Sequence, residues 1–192
     1  MSGALAAGYK GFDWVGVVLI ALVTALGGGT VRDVLIDRET VFWISDPNYV
    51  WVTLLAAGLT LVYTHYLKPP SKTLLVADAL GLALFSLVGA QIAVGHNVAP
   101  VIVVLMGAIT GVVGGVLRDI LVNEIPLVCR STEAIYTFAA VIGIVVYLAC
   151  RHLLDEQLAL ALGMLVAAAL RMAGIYWNLR LPAFRLELEV DK

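Results

Sequence analysis

Thr24, Gly28, Gly29, Arg32, Asp33 and Leu35 recur in the same order 86 positions later as Thr110, Gly114, Gly115, Arg118, Asp119 and Leu121. Each copy sets paired glycines and an Arg-Asp pair within or just after a long apolar run. An Arg or Asp at the centre of a membrane helix costs about 2.5–3.5 kcal/mol on insertion scales, so such residues face a bundle interior, pair, or lie near an interface. The glycines have two readings. They permit close helix approach, as small residues do in membrane bundles, or they loosen the helix, freeing backbone groups that are tolerated at depth only beside protein or a water-filled cavity. Breaks at corresponding places in two halves favour the second reading and point to a transport pathway. Gly27, Gly28, Gly29, Gly111, Gly114 and Gly115 are then the hinge, with the hydroxyls of Thr24 and Thr110 one turn before it. The plain alternative for each threonine is a back-bond to its own preceding turn.

Arg32, Asp33, Arg118 and Asp119 read either as braces on the two hinges or as a snorkelling arginine followed by a helix-terminal aspartate. Adjacent helical residues point about 100° apart, so Arg and Asp of one pair are expected to meet different neighbours. Asp78 caps its helix or lines a vestibule; Ser86 faces a neighbouring helix or the pathway. Arg171 is expected to snorkel to the nearer face. His65, His96 and His152 sit at helix ends or loops without ligand spacing, so no metal is assigned. Cys129 and Cys150 read as small buried hydrophobes. No nucleophile is matched to a base and no Walker-type phosphate loop occurs, so the sequence points away from an enzyme. No cofactor is expected.

These residues are carried by a very apolar chain, 61% hydrophobic and 14% charged over 192 residues, with a mean hydropathy of +0.98. That composition calls for a bilayer as solvent. A net charge of −2 gives no basic excess for nucleic acid. A helix needs about 20 apolar residues to cross the hydrocarbon core, and four segments qualify cleanly: Tyr49 to Leu67, Thr73 to Val94, Ser131 to Cys150 and Glu156 to Trp177. Two more, Asp13 to Ile36 and Val98 to Val122, contain the glycines and are expected to be broken. The N-terminal stretch lacks a charged region ahead of an apolar one and does not read as a signal peptide.

The 86-residue register also pairs Gly3 with Gly89, Ala4 with Ala90, Ala7 with Ala93 and Val17 with Val103. Residues 1 to 9 therefore correspond to the tail of Thr73 to Val94, as the end of a first helix whose front is missing. The expected fold is an all-α polytopic membrane protein: a three-helix repeat over 1–67, a second over 73–151, a seventh transmembrane helix over 155–178 and a tail over 179–192. An odd helix count inverts the second repeat relative to the first. With Lys10, Lys68, Lys72, Arg130, Arg180 and Arg185 on one side and only Arg38 and Arg151 on the other, the positive-inside rule sets the C-terminus in the cytoplasm. Tyr176 and Trp177 close the last helix as interfacial anchors.

The segments SGALAA at 2–7, TALGGGTVRDVL at 24–35, DALGLALFSLVGA at 78–90 and GVVGGVLRDIL at 111–121 resemble the prokaryotic trimeric intracellular cation (TRIC) channels, a domain also labelled a glycine transporter. The resemblance covers nearly the whole chain. It implies a homotrimer in a prokaryotic inner membrane, each protomer conducting monovalent cations, K⁺ or Na⁺, between its second and fifth helices kinked at their glycines. The basic lipid-binding motif of the animal members is not recognisable. Membrane lipid and permeant cations are the partners expected. The rival readings are a secondary transporter of a small zwitterion such as glycine, and a scaffold whose glycines serve packing alone.

Overall fold

The computed structural model describes residues 1–130 and 135–177, and these form a bundle of α-helices. In chain order they are α1 (Ser2–Tyr9), α2 (Trp14–Leu35), α3 (Phe42–Ser45), α4 (Asn48–Tyr66), α5 (Thr73–Gly95), α6 (Pro100–Leu121), α7 (Tyr136–Cys150) and α8 (Glu156–Trp177). Four of them, α2, α5, α6 and α8, are long and apolar enough to cross a bilayer. The expected start of a helix at Ser131 falls among residues outside those described, as does the predicted tail with Arg180 and Arg185.

Local chemistry fixes the helix ends. Asp13 caps α2 by accepting a 2.7 Å bond from the Gly16 amide. Pro100 opens α6, where its missing N–H costs nothing. The ends of α2 and α6 are alike: Ile36 and Val122 share φ −92° and ψ 10°. The next residues, Asp37 and Asn123, take φ of 54° and 56°. Asp and Asn tolerate this left-handed conformation better than most residues. The turns after α1 and α5 match in the same register, with Gly11 at φ 72° and Asn97 at φ 54°. The sequence repeat is thus a repeat of local backbone geometry, down to its turns.

Both glycine-bearing helices run without interruption, which corrects the expected breaks at Gly27–Gly29 and Gly111–Gly115. Gly28 and Gly114 serve close approach instead. A Cβ on Gly28 would stand 2.1 Å from the Thr110 carbonyl oxygen, and one on Gly114 would stand 2.2 Å from that of Thr24. The late residue of each helix meets the early residue of the other, so α2 and α6 cross antiparallel at a reciprocal glycine contact. Intact i to i−4 bonding satisfies the backbone at this depth, while missing side chains let the two backbones touch.

α5 packs along α6 and against α7 and α8, with Leu87, Ile144, Tyr147 and Ala167 in its core. α7 and α8 form a second antiparallel close contact through Gly143 and Gly163, each against the other's carbonyl. On the other flank, α1 and α4 cover α2, burying Ala7, Val17, Ile20 and Ala57. Outward-facing side chains are apolar all round: Leu19, Leu55, Leu105 and Leu165 are all exposed. Such a surface belongs in hydrocarbon.

The antiparallel crossing sorts the loops onto two ends. Lys10 pairs with Glu124, which also bonds Arg130 at 3.2 Å, so the start of α2 and the exit from α6 share one end. Lys72 lies at this end too, donating 3.1 Å to the Ile175 carbonyl and standing 4.9 Å from the Tyr176 ring centroid. Arg38 and His96 come together at the opposite end. Cys129 is exposed and Cys150 half-buried, both free thiols, which corrects the expectation that both are buried; Cys129 lies in the polar exit loop.

Candidate functional site

The two Arg-Asp pairs occupy equivalent positions at opposite ends of the bundle, and all four residues are buried. Arg32 Nε and Nη2 donate to Asp33 Oδ1 at 2.8 and 2.6 Å. Arg118 Nε donates to Asp119 Oδ1 at 2.8 Å. The members of each pair therefore bind each other, contrary to the expectation of separate neighbours. A guanidinium on three methylenes can curl back across the 100° between adjacent positions, and the desolvated carboxylate gives it reason to do so. The second carboxylate oxygens reach into the loops: Asp33 Oδ2 accepts from the Phe42 amide and Asp119 Oδ2 from the Leu127 amide, both at 2.8 Å. Each pair thus ties the end of a long helix to the segment that follows it.

The pairs differ in what else they touch. Arg32 lies 5.6 Å from the Phe42 ring centroid, and Arg38 approaches Asp33 to 3.7 Å. Arg118 instead bonds Asp78 of α5. A Cβ on Gly115 would lie 3.2 Å from the Tyr136 hydroxyl and 3.4 Å from Asp78 Oδ1, so those groups converge where the glycine leaves room. Arg171 is 1% exposed and stands 4.8 Å from the Tyr136 ring centroid. This corrects the snorkelling expectation: an aromatic face inside the bundle offers a cation a closer resting place than the headgroups.

Thr24 and Thr110 donate to the Ile20 and Met106 carbonyls, each at 2.6 Å, so the back-bond is formed in both. Each hydroxyl keeps its acceptor lone pairs, and each threonine also lines a cavity. The Asp78 cavity, about 220 Å³, is walled by Thr24, Ala25, Asp78, Phe85, Gly111 and Gly115 among others. The Arg32 cavity, about 490 Å³, is walled by Ala25, Gly29, Arg32, Arg38, Phe85, His96 and Thr110 among others. The former lies toward the Lys10 end and the latter toward the Arg38 end. Ala25 and Phe85 belong to both walls.

Of the sequence-predicted residues, Thr24, Gly111, Gly115 and Asp78 meet in one cavity, and Gly29, Thr110 and Arg32 in the other. Gly28 and Gly114 lie in the crossing itself, and Gly27 packs on Leu117. Ser86 is fully buried against Gly111, not on either cavity wall, and its hydroxyl donates 3.4 Å to the Ala83 carbonyl. Phe85 was missed. It sits in an unbroken apolar run, and only its place one residue from Ser86 on the Asp78 helix marks it. Among the described residues no group of three or more His, Cys, Asp or Glu could hold a metal ion.

Comparison with known proteins bears on this arrangement. A family model described as Glycine transporter matches residues 1–65 and 75–152. The inner membrane protein YadS of Escherichia coli (strain K12), of the UPF0126 group, is 40% identical over 190 residues, which span 97% of this chain and 91% of that protein. A UPF0126 membrane protein of Vibrio cholerae is 38% identical, over 97% of this chain and 78% of its own length. The TRIC channel orthologue from Rhodobacter sphaeroides superposes with a TM-score of 0.86 at 39% identity, covering 93% of this chain and 91% of that one. A second TRIC cation channel structure, described in terms of conductance, gives 0.86 at 36% identity over 97% and 92%. With an all-helical fold, an apolar exterior and similarity to these proteins over nearly its full length, the chain is a multi-pass membrane protein of the prokaryotic TRIC channel family.

Proposed function

We propose that this protein is a passive channel for monovalent cations, K⁺ above all, with one pathway per protomer in a homotrimer. The carrying observation is the pair of cavities, one toward each end, whose walls share Ala25 and Phe85 beside the Gly28–Gly114 crossing. The pathway passes alongside the contact between α2 and α6, because that contact leaves no space. Hydroxyls of Thr24 and Thr110, one per cavity, offer oxygens to a partly dehydrated ion. Phe85 is the apolar constriction, and ions cross when its ring moves aside.

The matching turns and the antiparallel, reciprocal crossing support two inverted repeats, α1, α2 and α4 against α5, α6 and α7, with α8 as the added seventh span. Lys10, Lys72 and Arg130 share one end, which we assign to the cytoplasm under the positive-inside rule; the C-terminus then lies there too. The structural neighbours are TRIC cation channels, which supports conduction and the trimer.

The test is K⁺ efflux from liposomes carrying purified protein under a valinomycin-free K⁺ gradient. Efflux is expected, increased in Phe85→Ala; protein that is trimeric yet gives no efflux in either form would contradict the reading. The family description Glycine transporter and the barrier between two cavities favour one alternative, a carrier exposing a small-zwitterion site to each side in turn. Saturable counterflow of labelled glycine without single-channel steps would favour it.

A further inference from the structure

We infer that a cleft between α5, α6 and α7, at the Arg38 end, holds an anionic phospholipid, its phosphate on Arg151 and an acyl chain along the apolar wall. The inference needs only that the chain lies in a membrane, not that it conducts. The cleft, about 560 Å³, shares no wall residue with the two cavities beside the α2–α6 crossing. Val98, Val103, Val145 and Leu148 make its wall apolar, and Arg151 and His152 make one edge basic. Asn97 also lines it, next in the chain to His96, which sets the cleft at the Arg38 end.

Arg151 follows the last residue of α7 and is half-buried. Neither it nor His152 has a side-chain hydrogen bond or ion pair to any described residue. Arg32 and Arg38, at the same end, both meet Asp33, at 2.6 and 3.7 Å. The acids that follow Arg151 in the chain are engaged elsewhere. Glu156 Oε1 accepts from Gln91 and Tyr147 at 3.1 and 3.5 Å, and Asp155 Oδ2 accepts from the Gln157 amide at 3.1 Å. A guanidinium beside apolar surface at a membrane end, with no protein counter-charge, suits the phosphodiester of a lipid. Its planar fork matches phosphate oxygens, and basic pockets between membrane helices take anionic headgroups. A zwitterionic lipid carries its own ammonium beside the phosphate, so the same arginine favours an anionic one.

The sequence repeat supplies a comparison within one molecule. The 86-residue register sets Trp14, Val62, His65 and Tyr66 opposite Pro100, Leu148, Arg151 and His152, and those four line a corresponding cleft at the Lys10 end. There His65 takes the place of the arginine and meets the Tyr66 ring edge-on, with centroids 5.0 Å apart. The three-helix unit thus builds the cleft twice, and the α7 copy adds a permanent cation. Packing accounts for the cleft but not for the arginine.

Native mass spectrometry of the intact purified oligomer tests the site, with phosphatidylglycerol and phosphatidylcholine of identical chains added in turn. Wild type is expected to retain phosphatidylglycerol in preference. Arg151→Gln should lower that retention about three- to tenfold, the effect of losing one partly screened charge contact. Arg151→Lys, which keeps the charge, should recover part of it. Lys68→Gln removes an exposed charge in the α4–α5 loop and should leave it unchanged. Unaltered retention in Arg151→Gln, or an equal loss in Lys68→Gln, would overturn the proposal; the latter would mean general attraction to the surrounding lipid. Cryo-electron microscopy of wild type in phosphatidylglycerol nanodiscs is expected to show phosphate density at the Arg151 guanidinium. A neighbouring protomer seated in the cleft, or displacement of the lipid by inorganic phosphate alone, would also overturn it.

Discussion

Gly28 and Gly58 show how one residue type does opposite work in one bundle. Around a Cβ at Gly58 nothing lies within 4 Å, whereas at Gly28 it would collide with the Thr110 carbonyl, which is backbone and cannot swing away. Gly58→Ala is therefore expected to leave stability in detergent unchanged or raise it, by up to about 1 kcal/mol from helix propensity. Gly28→Ala should lower it, by about 1–3 kcal/mol as an overpacked contact forces α2 and α6 apart. Thermal unfolding of the purified variants checks both signs. Gly114→Ala is expected to act in the same direction as Gly28→Ala, because its Cβ would stand 2.2 Å from the Thr24 carbonyl oxygen. The Arg-Asp pairs carry larger stakes. Asp33→Ala strands both the Arg32 guanidinium and the Phe42 amide, and removing one partner of a buried pair costs about 3–5 kcal/mol. Failure to recover trimer from the membrane, or a strongly lowered melting point, is the expected result; a wild-type melting curve would show the pair to be dispensable.

At the scale of elements, the positions of the helices were legible because hydrophobic runs and the 86-residue register are strong signals; α5 and α8 fall within a residue of their expected bounds. Continuity at the glycines was not legible. A glycine pair lowers helix propensity, but whether the helix breaks depends on what packs against it, and that contact lies on the other repeat, far away in sequence. Arg171 failed for a related reason: its aromatic partner, Tyr136, belongs to a different helix. The loops offer a further test. Lys10 holds the exposed Glu124 carboxyl below its ordinary value, chiefly by hydrogen bonding. A depressed carboxyl keeps its contact above the ordinary value, near 4.3, and loses it as pH falls through the lowered one. Side-chain NMR should show the Glu124 titration midpoint rise in Lys10→Gln. No movement would mean the tie between the α1–α2 turn and the exit of α6 is not populated.

For the whole molecule, the membrane class and the family were readable from composition and the doubled motif, while the site was readable only in part. Thr24, Gly115 and Asp78 wall one cavity and Thr110, Gly29 and Arg32 the other; the repeat singled out all but Asp78, and it marked Arg32 as a brace. Phe85, which walls both cavities, has no polar atom and no distinctive spacing, so only the assembled fold reveals it. The division of labour follows from this geometry: Gly28 and Gly114 hold the crossing, the buried Arg-Asp pairs fasten its ends, and the two cavities lie beside it. The claim that this space conducts cations is tested most directly by recording purified protein in planar bilayers under a KCl gradient. The account predicts discrete openings that reverse near the K⁺ equilibrium potential; silence, or reversal near the chloride potential, would contradict it.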